Sequence, residues 1–138
     1  MENTYRELLT QRGYNPDFAS ILVAQDANES GWGKHLAGNF NYGGIKSKTG
    51  TKKKTTEYIN GVEQTYYDSF RDFNSIEDFC NYKIDLLSSK RYNIFNTTNP
   101  DNPEEVFATI NERGYSTTPN YIYVPQLLKI YINVTQLS

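Results

Sequence analysis

The stretch that most constrains this chain is Ala24-Gln25-Asp26-Ala27-Asn28-Glu29-Ser30-Gly31-Trp32-Gly33, where an apolar helix runs into a loop broken by two glycines. Upstream, Phe18, Ile21, Leu22 and Gln25 recur at helical spacing. Glu29 shares a face with Leu22 and Phe18, given about 100° of rotation per residue. A carboxylate that closes a core-facing stripe is partly desolvated, which raises its pKa toward the range a general acid needs. Gly31 and Gly33 end the helix and let the backbone turn away, so the carboxylate is expected at a surface edge. Trp32 places a flat apolar face beside it. A glutamate at a helix C-terminus ordinarily faces water; its place on the stripe sets Glu29 apart.

Around this helix the chain divides readily. Tyr5, Leu8, Leu9 and Arg12 predict a short first helix stopped by Gly13. Asn15-Pro16-Asp17 opens the second, with Asn as N-cap, Pro at the first helical position and an acid in the first turn. From Gly31 to Gly50 the sequence is glycine-rich and poorly periodic, which predicts a loop lining a cleft. The period then changes: Thr55 to Ile59, Asn60-Gly61, and Val62 to Tyr67 predict a hairpin with a type I′ turn. A two-residue loop sets Ile59 opposite Val62, Tyr58 opposite Glu63 and Glu57 opposite Gln64. Glu57 therefore faces one way and Glu63 the other, the latter as an exposed hairpin charge.

Three further helices are expected. Ser75 and Asp78 form a capping pair before the stripe Ile76, Phe79, Cys80, Ile84 and Leu87. Asn102-Pro103-Glu104-Glu105 caps the next, with Val106, Phe107 and Ile110 inside. Thr118-Pro119 opens the last, whose stripe is Val124, Leu127, Leu128, Tyr131 and Val134. The expected class is α+β, mainly helical, with one small hairpin lobe, as a single domain over residues 1–138.

Composition narrows the functions. A net charge of −2 gives no general affinity for nucleic acid. Lys46, Lys48, Lys52, Lys53 and Lys54 form a basic run, read as a solvated loop. No stretch reaches the roughly 18 apolar residues of a membrane span, and Met1 to Arg6 lacks the regions of a signal peptide. Cys80 is alone and reads as a small core residue; His35 is the sole histidine. Neither a metal nor a cofactor is implied. Twelve tyrosines, most of them core-filling, suit a surface that stacks and hydrogen-bonds sugars.

Ala24-Gln25 followed by Asn28 to Lys34 resembles the signature of bacterial and phage peptidoglycan N-acetylglucosaminidases, glycoside hydrolase family 73. The resemblance recurs at Asn41-Tyr42-Gly43-Gly44-Ile45-Lys46, at Thr55-Thr56-Glu57-Tyr58 with Gly61, at Phe70-Arg71, at Arg91-Tyr92, and at Gly114-Tyr115-Ser116-Thr117 with Pro119 and Tyr121. It implies a lysozyme-like fold whose cleft lies between the helices and the hairpin. It implies Glu29 as the catalytic acid, Glu57 as the second carboxylate and Tyr115 as a cleft tyrosine near the substrate's acetamido group. Asn41 and the aromatic residues Trp32, Tyr42, Tyr92 and Tyr121 are the candidate substrate-binding set, and Phe40 is assigned to the core. Two departures stand out. Thr118 replaces an Asp common in the family, though it remains a competent N-cap. Gly43 stands where an aromatic is frequent, so one wall of the subsite is expected to be missing.

The expected activity is cleavage of the β-1,4 bond between N-acetylglucosamine and N-acetylmuramic acid, with peptidoglycan glycan strands as partner, no nucleic acid or membrane insertion, and a monomeric domain. A muramidase or a lytic transglycosylase on the same fold is the nearest rival, and a wall-binding module with decayed catalysis the rival from another class. The expected setting is the cell wall, reached as a phage lysin or virion-associated hydrolase. Asp26, one turn from Glu29, is close enough to perturb its pKa, but the expected role is solvated or capping.

Overall fold

Helix α2 (Phe18–Ser30) has no broad polar face, and in the computed structural model it is buried nearly all round, from Phe18, Ile21 and Leu22 to Gln25, Asp26 and Ser30. The structure describes residues 1–36 and 38–137, with the side chains of Thr55 and Leu137 left out. A helix apolar on every side belongs at the centre of a domain, not on its surface. The expected one-sided stripe is therefore too narrow a description. Helix α1 (Glu2–Gln11) packs against α2 through Tyr5, Leu8 and Leu9, and α6 (Asn120–Leu137) against it through Tyr123, Val124 and Leu127. Helix α3 (Ile76–Ser88) lies on α1, and α5 (Pro103–Glu112) packs on α6. A four-residue helix that the sequence did not announce, α4 (Ile94–Thr97), lies beside α3 and α5 and buries Ile94 and Phe95, the Phe95 ring packing on Tyr14 and Phe18.

The caps explain where these helices start. Ser75 accepts the Asp78 amide at 3.1 Å and Asn102 the Glu105 amide at 3.3 Å, as the capping patterns predict. Asn15 takes the Asp17 amide at 2.9 Å, but a turn intervenes and regular α2 begins at Phe18. The last helix begins at Asn120, after Pro119 rather than after Thr118: the Pro119 carbonyl accepts from Tyr123 at 2.9 Å. At the far end of α2, Gly31 is left-handed (φ 58°), and the Trp32 amide reaches back to the Ala27 carbonyl at 2.9 Å.

Strands β1 (Lys46–Ile59) and β2 (Val62–Phe70) form a two-stranded antiparallel sheet. Asn60 and Gly61 both have positive φ, 52° and 79°, and the pairs Ile59–Val62, Tyr58–Glu63 and Glu57–Gln64 are those set by a two-residue turn. The strand starts at Lys46, however, so the basic run is strand and not loop. Lys46 and Thr51 both face Phe70 across an irregularity; at Gly50 a Cβ would lie 2.2 Å from the Phe70 carbonyl oxygen, leaving room only for glycine. Polar residues on both faces removed the alternation that marks a strand.

Candidate active site

A groove of about 730 Å³ runs between the C-terminal end of α2, the base of the hairpin and the loop joining α5 to α6. Glu29 projects into it from the last turn of α2. Gly44 passes beneath the carboxylate: a Cβ there would lie 3.3 Å from Oε2, and its φ of 64° also favours glycine. Glu29 is open to solvent through the groove mouth, while protein closes on the remaining sides. Burial pushes its pKa up to about 7; Lys83 pulls it down, and the charges of Asp26 and Glu57 push it further up. Because water still reaches the carboxylate in the open groove, its desolvation is completed only when a ligand fills that space.

Behind Glu29 sits a polar network. Asp26 is buried, not solvated or capping: Lys83 Nζ is paired with its Oδ1 and the Tyr5 hydroxyl donates to its Oδ2. Lys83 is fully buried, and its ammonium lies 5.6 Å from the centre of the Tyr115 ring. Burial raises the Asp26 pKa, while the Lys83 charge and the hydrogen bonds from Lys83 and Tyr5 hold it back. Charges this deep persist only when paired.

Glu57 faces the same groove from β1. Lys46 binds its Oε1 and also reaches Asp68 at 3.1 Å; the Thr117 hydroxyl donates to Oε2 at 2.7 Å. Glu63, on the opposite face, is exposed and does not line the groove. Tyr115 lines it and donates to the Gly43 carbonyl at 3.2 Å. A Cβ on Gly43 would lie 2.9 Å from that hydroxyl and 3.1 Å from the Phe79 ring. The wall expected to be missing at Gly43 is thus occupied by Tyr115 and Phe79, which leave no space for a side chain there. Burial first, then the charges of Asp26 and Glu29, raises the Tyr115 pKa well above its ordinary value, so its hydroxyl stays protonated.

The candidate binding residues divide. Tyr92 is buried in the groove wall, edge-on to Tyr115 with ring centres 6.2 Å apart. Asn41 is not a surface ligand: it is fully buried, bonding the Ile45 and Arg71 carbonyls at 2.9 Å each and accepting from the Ile45 amide at 3.1 Å. With those bonds made it fastens the base of the hairpin. Trp32 (51% exposed) and Tyr121 (79% exposed) lie outside the groove lining. Tyr42 packs edge-on against Phe79 and borders a shallower depression with Phe40, which is 40% exposed rather than core.

Sequence reasoning missed Lys83 and Tyr123, and placed Arg91 only within a family-like block without a role in the groove. Tyr123 and Arg91 line the groove, and Gln25 donates to the Tyr123 hydroxyl at 2.9 Å. A lysine flanked by the apolar positions Phe79, Cys80, Ile84 and Leu87 of α3 was the available signal for Lys83.

The family model described as glucosaminidase, mannosyl-glycoprotein endo-β-N-acetylglucosaminidase, matches residues 2–135. The chain belongs to this family, glycoside hydrolase family 73. It is a glycoside hydrolase domain on the lysozyme-like α+β fold. Similar proteins include peptidoglycan hydrolase FlgJ of Pseudomonas aeruginosa, 33% identical over 75% of this chain and 28% of that protein, and FlgJ of Vibrio cholerae, 27% identical over 87% and 38%. The chain therefore spans less than two fifths of either relative. Among solved structures, a mutant peptidoglycan hydrolase from Sphingomonas sp. A1 superposes with a TM-score of 0.73 at 30% identity, over 86% of this chain and 83% of that one. The catalytic domain of the autolysin Auto from Listeria monocytogenes shares the fold, with a TM-score of 0.70 at 22% identity over 99% and 82%.

Proposed function

We propose that this domain hydrolyses peptidoglycan at the β-1,4 bond between N-acetylglucosamine and N-acetylmuramic acid. The observation that carries the reading is the pair of carboxylates lining one groove, Glu29 from the last turn of α2 and Glu57 from β1; the pKa of Glu29 is pushed up to about 7. Near neutral pH a substantial fraction of Glu29 is protonated and able to donate to the leaving glycosidic oxygen, generating an oxocarbenium-like centre. Glu57, held by Lys46 and Thr117, is the second carboxylate, stabilising that centre or accepting a proton from the attacking water. Tyr115, neutral and oriented by the Gly43 carbonyl, flanks the same space and supports the acetamido side of the sugar.

The named relatives, peptidoglycan hydrolases and an autolysin, support a wall substrate; they are bacterial, and a phage origin is not proposed. The test is digestion of purified peptidoglycan by the wild type and by Glu29→Gln, followed by borohydride reduction and mass spectrometry. Reduced N-acetylglucosamine ends from the wild type alone support the reading. Reduced muramic ends would reassign the bond, and anhydro-muramic ends would make the enzyme a transglycosylase.

A further inference from the structure

The hairpin stands away from the helical body. Its strands pack on each other, and no helix packs closely on either among the described residues. Val62 and Tyr67 are 58% and 79% exposed. At its base it is fastened by Asn41, which bonds Ile45 and Arg71 on the two converging chains, and by the Arg71 amide on the Ile45 carbonyl at 2.9 Å. Farther out, Lys53 reaches the Leu36 carbonyl at 2.7 Å. At the level of Glu57, among the described residues, the link is a single residue of the α5–α6 loop, Thr117. Its hydroxyl donates to Glu57 Oε2 at 2.7 Å and accepts from the Tyr58 amide at 2.9 Å.

One hydroxyl thus grips both the side chain of residue 57 and the backbone that follows it. A hydroxyl can do this because it is at once donor and acceptor, which a methyl cannot be. Thr117 also stands two residues from Tyr115, whose hydroxyl is anchored on Gly43. The loop therefore couples the hairpin wall to the wall beside Glu29. We infer that Thr117 is a positioning residue of the second carboxylate: beside the Lys46 pair, it pins the hairpin across the groove and fixes Glu57 relative to Tyr115. The inference rests on the proposed role of Glu57.

Thr117→Val and Thr117→Ser separate this role from simple packing. On soluble peptidoglycan oligosaccharides, Thr117→Val is expected to lower kcat about tenfold, the scale of one hydrogen bond to a charged group, with KM within about twofold. Thr117→Ser restores kcat. Exchange of the Tyr58 amide with deuterium accelerates in the Val variant and not in the Ser variant. In a Glu57→Gln background, whose residual turnover is followed in long digestions, Thr117→Val costs little more. Wild-type kcat with unchanged Tyr58 exchange in Thr117→Val would overturn the inference, as would an equal fractional loss in both backgrounds. A Glu57→Gln enzyme with full activity would instead remove the Glu57 role, leaving the pinning to be decided by Tyr58 exchange alone.

Discussion

The two walls of the groove hold their carboxylates by different means. On the helical wall, Glu29 ends a helix buried on nearly every side, above an ion pair in which Lys83 is fully buried and Asp26 almost so. On the hairpin wall, Glu57 sits on a sheet with little packing behind it, fixed by an ammonium and a hydroxyl that water also reaches. The first wall tunes a proton, since partial burial disfavours the charged form of Glu29; the second aims a carboxylate, held in place by its Lys46 and Thr117 contacts. An acid needs the first kind of support and a helper carboxylate the second. The largest test of this division is Glu29→Gln. It is expected to lower kcat roughly 10³-fold with little change in KM, within the range for loss of a positioned acid, by release of reducing ends. A tenfold loss or less would move the acid elsewhere.

The next effect is on stability and belongs to the helical wall alone. Lys83→Met leaves Asp26 charged or forces a proton onto it in the core, and is expected to cost about 3–5 kcal/mol in urea unfolding. Adding Asp26→Asn recovers most of the loss, because no charge remains to be buried. Since Lys83 holds the Glu29 pKa down, its removal also shifts the alkaline limb of kcat/KM upward. A loss below about 1 kcal/mol would mean that the pair is not the sealed element its burial implies.

Glu57→Gln comes third. A decrease in kcat of about 10²-fold is expected, with thermal unfolding nearly unmoved, because the Lys46 pair is half-exposed and such pairs contribute about 0–1 kcal/mol. If the substitution instead unfolded the domain with little loss of turnover per folded molecule, the hairpin wall would be structural and the contrast between walls would collapse.

The sequence made the two walls unequally legible, for a physical reason. Glu29 and Glu57 stood out because each rests on a local rule: helical periodicity broken by glycine, and the fixed register of an Asn-Gly turn. What joins the walls is nonlocal. Lys83 lies 57 residues from Asp26, and Thr117 lies 60 from Glu57. No periodicity records such pairings. Asn41 lies within a block that resembles the family, which points it toward substrate, yet its amide is used up fastening backbone. The lysine-rich half of β1 read as loop because solvent lies on both its faces, so its side chains show no burial pattern.

The smallest effect is also the most specific to Glu29. A carboxyl whose pKa rises from 4.5 in the unfolded chain to about 7 in the folded one binds more protons when folded, so stability falls as pH rises between those values. Glu29→Gln lacks this loss. The variant should match the wild type near pH 4.5 and become progressively more stable toward pH 8. Because the groove is open to water, only part of the shift is converted; a gain of about 1 kcal/mol, or roughly 2–4 °C in Tm, is the expected ceiling. The gain is the stability sacrificed to keep an acid protonated where the chemistry needs it. Differential scanning calorimetry of the two proteins at matched pH values reads it directly. A difference that stays flat from pH 4.5 to 8 would show that the groove solvates Glu29 as well as bulk water does, and the helical wall would then tune nothing.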